Sequence, residues 1–283
     1  MADIGRYNNL PVVGHADFGF YLDGGMDGDI LLPKRYIPKG IHTEVGSNLR
    51  VFIYLDSEDR LVATTEKPKA LVGEFASLRV KQTSPYGLFL DWGLPKDLLL
   101  PHSEVKRPLK VDDYGIVYLY LDDKTNRIAA TTYLDRHLDI EPGLYQSGEA
   151  VNLLIAARTD IGFKAIINNR HWGLIHNNEV FKFLRGGMRE KGYIKEVRDD
   201  GKISLSLQPV GDEGRGILQS AILQKLAEGG GILPLGDKSP PEVISRLFGV
   251  SKSSFKKAIG ALFKQGRLVI YPDRIELQEK RKR

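Results

Sequence analysis

Residues 73–101 read GEFASLRVKQTSPYGLFLDWGLPKDLLLP, and the same pattern is written twice more in the chain. Residues 5–33 read GRYNNLPVVGHADFGFYLDGGMDGDILLP and match the first stretch without a gap at an offset of 68 residues. A third copy begins at Gly148, at an offset of 75 residues, and reads GEAVNLLIAARTDIGFKAIINNRHWGLIHNNEV. Such periods exceed those of solenoid repeats, so the copies predict a tandem array of complete small domains.

Each copy has the pattern of a small β-barrel. Phe18–Leu22 and Tyr86–Leu90 are aromatic and aliphatic runs with an internal glycine, which predicts a bulge where the strand bends to close a sheet. The next run ends at Pro33 or Pro101, because proline cannot donate to a ladder. A hairpin closes each copy, and in the third the Asp-Gly pair at 200–201 marks its turn. Five strands in about 65 to 70 residues predict an OB-fold barrel.

A different fold follows the third copy. Gln208–Gly216 predicts a flexible linker, and apolar residues at helical spacing then predict a first helix that stops at Gly229–Gly231. Ser239 is predicted to cap a second helix, and a third is expected over Lys252–Gln265. A hairpin follows over Leu268–Leu277. Three helices and a hairpin are typical of a winged helix-turn-helix.

The sequence therefore predicts a mainly β protein with a C-terminal α/β unit. Three tandem OB-fold barrels are expected over residues 1–66, 67–138 and 139–211, and the winged helix-turn-helix over residues 212–283. This last domain holds fourteen Lys and Arg against eight Asp and Glu, so its formal charge is +6. The formal net charge of the chain is +5, so the three barrels together carry −1. A polyanion is expected to meet the C-terminal domain most favourably, whereas the barrels must rely on stacking as well as charge.

The third helix of this domain has one apolar and one basic face. Its apolar arc consists of Phe255, Ala258, Ile259, Leu262 and Phe263. Its opposite arc carries four lysines, Lys252, Lys256, Lys257 and Lys264. An ordinary amphipathic helix with solvated lysines would show the same pattern. The position of this helix as the recognition helix of the motif favours phosphate contact instead.

Composition excludes several classes of protein. The chain has no cysteine, which excludes disulfides and thiolate zinc sites. No apolar run approaches the length needed to cross a bilayer, and the first residues lack the pattern of a signal peptide, so we expect a cytoplasmic protein without membrane partners. The six histidines show no metal-ligand spacing on a helix: His15, His42, His102, His137, His171 and His176. No catalytic constellation, metal site or cofactor site is predicted.

The third copy resembles the RNA-binding domain named for ribosomal protein S-one. The resemblance rests on the glycine strand at Ile161–Phe163, the Gly-Leu-Ile-His strand end at Gly173–His176 and the closing strand Gly201–Leu207. The first two copies depart from this pattern, since Pro33 and Pro101 stand at the family's histidine position. In the third copy, Ile161 and Lys164 replace the two aromatic residues with which the family commonly stacks on bases.

The whole order of domains resembles the conserved virulence factor B family of bacterial RNA-binding proteins. The most specific stretches are Leu233–Pro241, Phe248–Lys252 and Phe255–Gly260. The resemblance implies a cytoplasmic RNA-binding factor that regulates gene expression and is not a catalyst.

Aromatic side chains on the second strand are the candidate base contacts, because OB-fold faces stack bases on exposed rings. They are Phe18, Tyr21, Tyr86 and Phe89, and packing in a core or between domains remains the alternative for each. Side chains near the end of the third strand, and one on the second strand of the third copy, are candidates for phosphate or base contact: Lys34, Arg35, His102, Lys164 and His176. Trp92 and Trp172 are expected to pack in loops.

Two classes of function remain. In the first, the chain binds single-stranded RNA across its barrels, and the winged helix adds phosphate contacts. In the second, it is a DNA-binding regulator that reads duplex DNA through its recognition helix and uses the barrels to recruit a partner. Asp273 and Glu276 in the wing weigh against deep insertion beside a DNA backbone. RNA associated with the ribosome is a further candidate partner.

Overall fold

The computed structural model describes residues 2–37, 44–141 and 143–278. His42 and the terminal Lys280, Arg281, Lys282 and Arg283 lie outside these residues. The described chain forms three closed five-stranded barrels and a C-terminal winged helix, which confirms the predicted fold class. It divides into two compact units, residues 1–138 with the first two barrels and residues 139–283 with the third barrel and the winged helix.

All three barrels have the same strand arrangement, in which the fifth strand lies parallel to the third and closes the sheet. The first barrel consists of β1 (Tyr7–Ala16), β2 (Gly19–Asp23), β3 (Asp29–Pro33), β4 (Asn48–Leu55) and β5 (Leu61–Thr64). The second consists of β6 (Phe75–Ser84), β7 (Gly87–Asp91), β8 (Leu98–Pro101), β9 (Tyr114–Leu121) and β10 (Ile128–Thr131). The third consists of β11 (Ala150–Thr159), β12 (Gly162–Ile167), β13 (His171–His176), β14 (Arg189–Val197) and β15 (Ile203–Ser206).

Each barrel has a bulge in its first strand, not in the second strand as the inset glycine predicted. The pairing register shifts after Val12 in β1, after Val80 in β6 and after Ile155 in β11. Each first strand pairs along its first half with the fourth strand and along its second half with the second strand. The bulge bends the strand where it changes partners, which lets a short sheet close on itself.

The glycine of each second strand is required by a close approach of two backbones. A Cβ atom at Gly87 would lie 2.3 Å from the carbonyl oxygen of Leu100, and one at Gly162 would lie 2.0 Å from that of Ile175. No side chain can occupy either position without moving the neighbouring strand. The repeated glycine in the sequence therefore marks the contact between the second and third strands.

The first two barrels share one hydrophobic core across their junction. Side chains on the outer face of β4 and β5, among them Phe52 and Tyr54, are buried together with the interior of the second barrel. The indole of Trp92, in the loop after β7, contacts both rings at centroid distances of 5.8 and 6.4 Å. Trp92 is only 3% exposed, and its indole N–H donates to the Lys96 carbonyl oxygen. Burial of this much aromatic surface makes residues 1–138 a single folded unit.

The C-terminal domain has the three helices and the hairpin that were predicted. Its elements are α1 (Gly211–Glu228), β16 (Ile232–Leu233), α2 (Pro241–Phe248), α3 (Lys252–Lys264), β17 (Leu268–Ile270) and β18 (Ile275–Leu277). The three strands form one sheet in the order β16-β18-β17, and β16 is an addition that the sequence did not predict. Ser251 caps α3 by accepting the backbone N–H of Ser254 at 3.0 Å.

Two predicted features at the start of this domain are wrong. The expected linker is helical from Gly211, and its first turn is supported by an ion pair between Arg215 and Asp212. Ser239 does not cap α2, because Pro240 stands between it and the first helical residue. The Ser239 hydroxyl instead accepts the backbone N–H of Gly236 at 2.8 Å, inside the preceding turn.

The apolar face of α3 is narrower than predicted. Phe255, Ala258, Ile259 and Leu262 are buried, but Phe263 is 52% exposed. Phe263 lies about 80° around the helix from Phe255, whereas the other three lie within about 60°. The core reaches only this narrower sector, so Phe263 lies at its edge.

Candidate nucleic-acid interface

The turn before each second strand presents one large side chain to solvent. Tyr86 is 80% exposed in the second barrel, and Phe18 and Ile161 hold the same place in the first and third. All three precede the glycine that lies against the third strand. Because that glycine fixes the turn against a neighbouring strand, the preceding side chain projects from a rigid base.

Phe18 and Tyr21 lie on the same side of the first barrel, with Phe18 exposed and Tyr21 half-buried. Their ring centroids are 6.2 Å apart in an edge-to-face arrangement. The turn at Gly19 therefore brings together two rings that strict alternation along a strand would have separated. In the second barrel, Tyr86 and Phe89 hold the corresponding positions and line one cleft.

This cleft follows a row of paired residues across the outer face of the second barrel. Phe89 pairs with Leu99, Leu99 with Ala129, and Ala129 with Tyr120, so the row crosses four strands. The two rings stand at its ends, and the small Ala129 forms part of its floor. The cleft has a volume of about 500 Å³, and Tyr54 and Leu55 of the first barrel also line it.

The corresponding row of the first barrel is closed. It runs from Tyr21 through Leu31 and Val62 to Tyr54. Val62 and Tyr54 are buried in the core that this barrel shares with the second. Only the end of the row that carries Tyr21 reaches solvent.

The third barrel carries a polar row at this place. Lys164 pairs with Leu174, Leu174 with Ser204, and Ser204 with Glu196. The Lys164 ammonium lies 3.7 Å from the centroid of the Trp172 ring. Trp172 was predicted in a loop, but it lies within β13. The hydrophobic run around Trp172 is too short to show that β13 begins at His171.

The polar candidates lie where each third strand ends. Lys34 and Arg35 are exposed in a short 3-10 helix after β3, and the Arg35 guanidinium lies 4.7 Å from the centroid of the Tyr36 ring. His102 is exposed after β8, and its ring N–H donates to the Ser84 carbonyl oxygen at 2.9 Å. This bond ties the end of the third strand to the turn that carries Tyr86. His176 is the half-buried last residue of β13, opposite Gly162.

Two cations border the cleft of the second barrel, and both contact the first barrel. Arg127 forms an ion pair with Asp59, which lowers the pKa of Asp59 and raises that of Arg127. Lys96 donates to the Asp56 carbonyl oxygen at 2.5 Å and lies 4.0 Å from the Asp59 carboxylate. Burial lowers the pKa of Lys96. The rim is therefore largely neutralised, so the cleft is better suited to an uncharged ring than to a phosphate.

Three of the four lysines on the basic face of α3 are exposed, Lys256, Lys257 and Lys264, and Lys252 is half-buried. Lys256 lies 2.7 Å from the Asp237 carboxylate. Lys252, Lys257 and Lys264 have no ion-pair partner among the described residues. In the wing, Arg274 pairs with Glu276 at 2.6 Å and with Asp273 at 3.4 Å. Lys257 and Lys264 are thus the exposed cations of this helix best placed to meet a phosphate.

The described residues, 2–37, 44–141 and 143–278, show neither a metal site nor a membrane-spanning helix. They contain no group of three or more His, Cys, Asp or Glu side chains arranged to hold a metal ion. None of their helices combines the length and apolar character needed to cross a membrane.

Tyr120 and Ala129 are among the residues that line the cleft but were not predicted from the sequence. The sequence does indicate the position of Tyr120, because Tyr118 and Tyr120 alternate with the apolar Val117 and Leu119 in the closing hairpin. The alternation places both tyrosines outside their own barrel. It does not show that Ala129 lies beside Tyr120 in the cleft, because that depends on the pairing of β10 with β8 and β9.

The chain matches two kinds of domain model. Residues 4–66 and 72–133 match an S1 domain, and residues 220–277 match a CvfB-like winged helix domain. Both are domain types found in nucleic-acid-binding proteins, and their match to this chain indicates nucleic-acid binding.

Relatives extend over nearly the whole chain. Protein YitL of Bacillus subtilis is 30% identical over 93% of this chain and 90% of its own length. Conserved virulence factor B of Staphylococcus epidermidis is 27% identical over 98% of this chain and 95% of its own. A crystal structure from Streptococcus pneumoniae, described as a multidomain protein with nucleic acid binding domains, is 25% identical, covers 97% of this chain and 98% of its own, and has a TM-score of 0.43.

Proposed function

Because this chain belongs to the conserved virulence factor B family, we propose that it is a non-catalytic protein that binds single-stranded RNA and regulates gene expression in the bacterial cytoplasm. Tyr86 carries the proposal, since 80% of its surface is exposed beside the half-buried ring of Phe89. A large exposed ring on a rigid turn loses little conformational freedom when a base stacks on it. Stacking of this kind accepts any base, so we expect modest sequence preference.

The RNA would extend over more than one barrel. The exposed Phe18 beside Tyr21 offers a second stacking position, although most of its row is closed. In the third barrel, Lys164 replaces an aromatic ring and His176 stands where the first two barrels have proline, and both side chains can reach a phosphate or hydrogen-bond a base. Lys34, Arg35 and His102, where the third strands end, are proposed to contact the backbone.

The winged helix would add phosphate contacts without reading sequence. Lys257 and Lys264 are exposed on α3, and the whole domain carries a formal charge of +6. Contacts of this kind raise affinity for any polyanion and make it salt-dependent. RNA associated with the ribosome is one candidate target, because structured RNA offers single-stranded loops beside dense phosphate.

The alternative is a DNA-binding regulator that places α3 in the major groove. The exposed basic face of this helix, the second of its helix-turn-helix, favours that possibility. The wing disfavours it, because Arg274 is already paired with two carboxylates that a DNA backbone would repel. Under this alternative, the barrels recruit RNA or a protein.

Competition at one salt concentration separates the two functions. Labelled single-stranded RNA bound to the full chain is displaced with unlabelled RNA or with duplex DNA of the same length and sequence. We expect RNA to compete at a lower concentration than duplex DNA. If duplex DNA competes better, the DNA-binding alternative replaces the proposal.

A double substitution tests the aromatic platform directly. Changing Tyr86→Ala and Phe89→Ala should weaken RNA binding by about 1 to 3 kcal/mol for each stacked base that is lost. Tyr114→Ala is a matched control, because this tyrosine is 66% exposed on the same barrel but does not line the cleft. Unchanged affinity in a folded double variant would show that the second barrel is not a platform.

A further inference from the structure

We propose that the cleft of the second barrel binds one nucleobase, held between the rings of Phe89 and Tyr120 on a floor of Leu99 and Ala129. This inference rests on the proposed RNA-binding function and makes it specific to one site. It differs from stacking on Tyr86, because the base enters a cleft with walls on several sides.

The spacing of the row leaves room for one base. Phe89 and Tyr120 are separated by three strand spacings, about 14 Å between their Cα atoms on a sheet with strands 4.8 Å apart. The two residues between them are Leu99, which is half-buried, and Ala129, whose side chain is a single methyl group. The cleft volume of about 500 Å³ falls within the usual range for small-ligand sites.

The first barrel supplies another wall. Tyr54 and Leu55 line the cleft from β4, and Tyr54 is held in place by the shared core around Trp92. An isolated second barrel would leave this side open to water. The cleft is therefore a property of the two-barrel unit, residues 1–138.

A comparison of the three barrels shows why this site is present once. In the first barrel, the larger Val62 holds the position of Ala129, and Tyr54, which holds the position of Tyr120, is buried, whereas Tyr120 is half-buried. In the third, the row ends in Lys164 and Glu196 instead of rings. Among the described residues, the row of the second barrel alone combines two half-buried aromatic ends with an alanine between them.

Charge at the rim favours a base over a phosphate. Arg127 and Lys96 are engaged by Asp59 and by the Asp56 carbonyl oxygen, and Asp97 pairs with Lys81 at 2.7 Å. Asp122 also lines the cleft and accepts the Thr125 hydroxyl at 2.6 Å. A free nucleotide and a base within RNA offer the same ring to this site, so the test includes both.

Two substitutions alter the cleft in different ways. Tyr120→Leu removes one aromatic end, and Ala129→Val fills the floor with the residue that the first barrel carries there. Each should lower affinity for a labelled single-stranded RNA about five- to a hundredfold, the range expected for one lost stacked base. The slope of log affinity against log salt should not change, because no phosphate contact is removed.

Tyr114→Leu is the matched control, since Tyr114 lies on the same strand and outer face as Tyr120 but outside the cleft. Thermal unfolding of each variant establishes that it is folded. A series of RNAs is made in which a different base is removed from each. For the parent protein, removal of one particular base should lower affinity by the same factor as the Tyr120→Leu substitution. For the Tyr120→Leu variant, removal of that base should lower affinity no further. Adenosine and uridine monophosphates are titrated as free-nucleotide probes, with the Tyr120 ring followed by NMR.

The outcomes separate this proposal from the wider one. If RNA binds but both cleft variants bind within twofold of the parent, the base site is wrong and RNA binding stands. If neither RNA nor nucleotide binds, both are wrong. If only the nucleotides bind, and Tyr120→Leu abolishes that binding, the cleft holds a base as proposed but RNA is not its source.

Discussion

Replacing Lys257 and Lys264 with glutamine should reduce the salt dependence of RNA binding by an amount set by the structure. Both lysines are exposed on α3 and have no ion-pair partner among the described residues, whereas Lys256 lies 2.7 Å from Asp237. A single strand releases about 0.7 counterions for each phosphate contact. Loss of two contacts should therefore lower the slope of log affinity against log salt by about 1.4.

This difference is large enough to measure. A fourfold rise in salt, from about 50 to about 200 mM, converts a slope difference of 1.4 into a change of about sevenfold in relative affinity. Fluorescence anisotropy with one labelled RNA, repeated at five salt concentrations, gives the slope for parent and variant. Any base preference of the barrels should be unchanged, because the substitutions remove charge from a different domain.

The matched control removes the same charge from paired lysines. Lys195 and Lys225 each lie 2.6 Å from a glutamate, Glu179 and Glu228, so their replacement with glutamine should change the slope little. If the Lys257→Gln/Lys264→Gln slope equals that of the parent, α3 does not contact phosphate. If the control lowers the slope equally, the effect is one of net charge and the assignment to α3 is wrong.

Three further predictions concern the stability of the first unit. Trp92→Ala should lower its free energy of unfolding by about 3 to 5 kcal/mol, because the indole is 3% exposed in the core between two barrels; urea unfolding measures this, and a loss below about 1 kcal/mol would contradict a shared core. Gly87→Ala should cost about 1 to 3 kcal/mol in the same assay, because its Cβ would lie 2.3 Å from the Leu100 carbonyl oxygen. Gly14→Ala is the control and should cost less, because its Cβ would lie no closer than 3.9 Å to the Tyr21 side chain. The ring of His137 stacks on Tyr118 at a centroid distance of 3.9 Å, and burial lowers the pKa of His137. The folded protein therefore favours the neutral form of this histidine. The resulting stability is present above the unfolded pKa of about 6.5 and is lost as pH falls toward the folded pKa. His137→Gln should therefore reduce the loss of stability measured between about pH 7.5 and about pH 5.5, and an unchanged pH dependence would show that His137 does not contribute to it.

Much of the fold followed from repetition and from glycine and proline. The three copies predicted three barrels because each carries the same glycine strand and closing hairpin, and the structure confirms this. The winged helix was predicted from helical spacing and from Gly249, which adopts the left-handed conformation that ends α2. Errors arose where local signals compete. The glycine of the second strand was interpreted as a bulge because close backbone approach and bulging both favour glycine.

The candidate contact residues remain predictions, and the sequence could name them without ranking them. Phe18 and Tyr86 hold the same place in the repeat and are both exposed, but Tyr86 lines the cleft of the second barrel, whereas Val62 and Tyr54 of the corresponding row in the first barrel are buried. Likewise, nothing in the spacing of α3 distinguishes Lys256 from Lys257. The difference arises from Asp237, which precedes α2 by several residues and meets Lys256 only in the folded domain.

The sequence by itself determined which side chains face the interior of each barrel, because alternation along a strand depends only on local geometry. Tertiary structure decided what happens to the side chains that face outward. Tyr54 and Val62 point away from their own barrel and are buried only because the second barrel packs on them. Tyr120 and Ala129 hold the equivalent places and line the cleft, where Tyr120 is half-buried. The physical reason is that docking of the two barrels buries one outer face and leaves part of the other in contact with solvent. This burial depends on contacts between residues that are far apart in the chain, so no local sequence pattern can predict it.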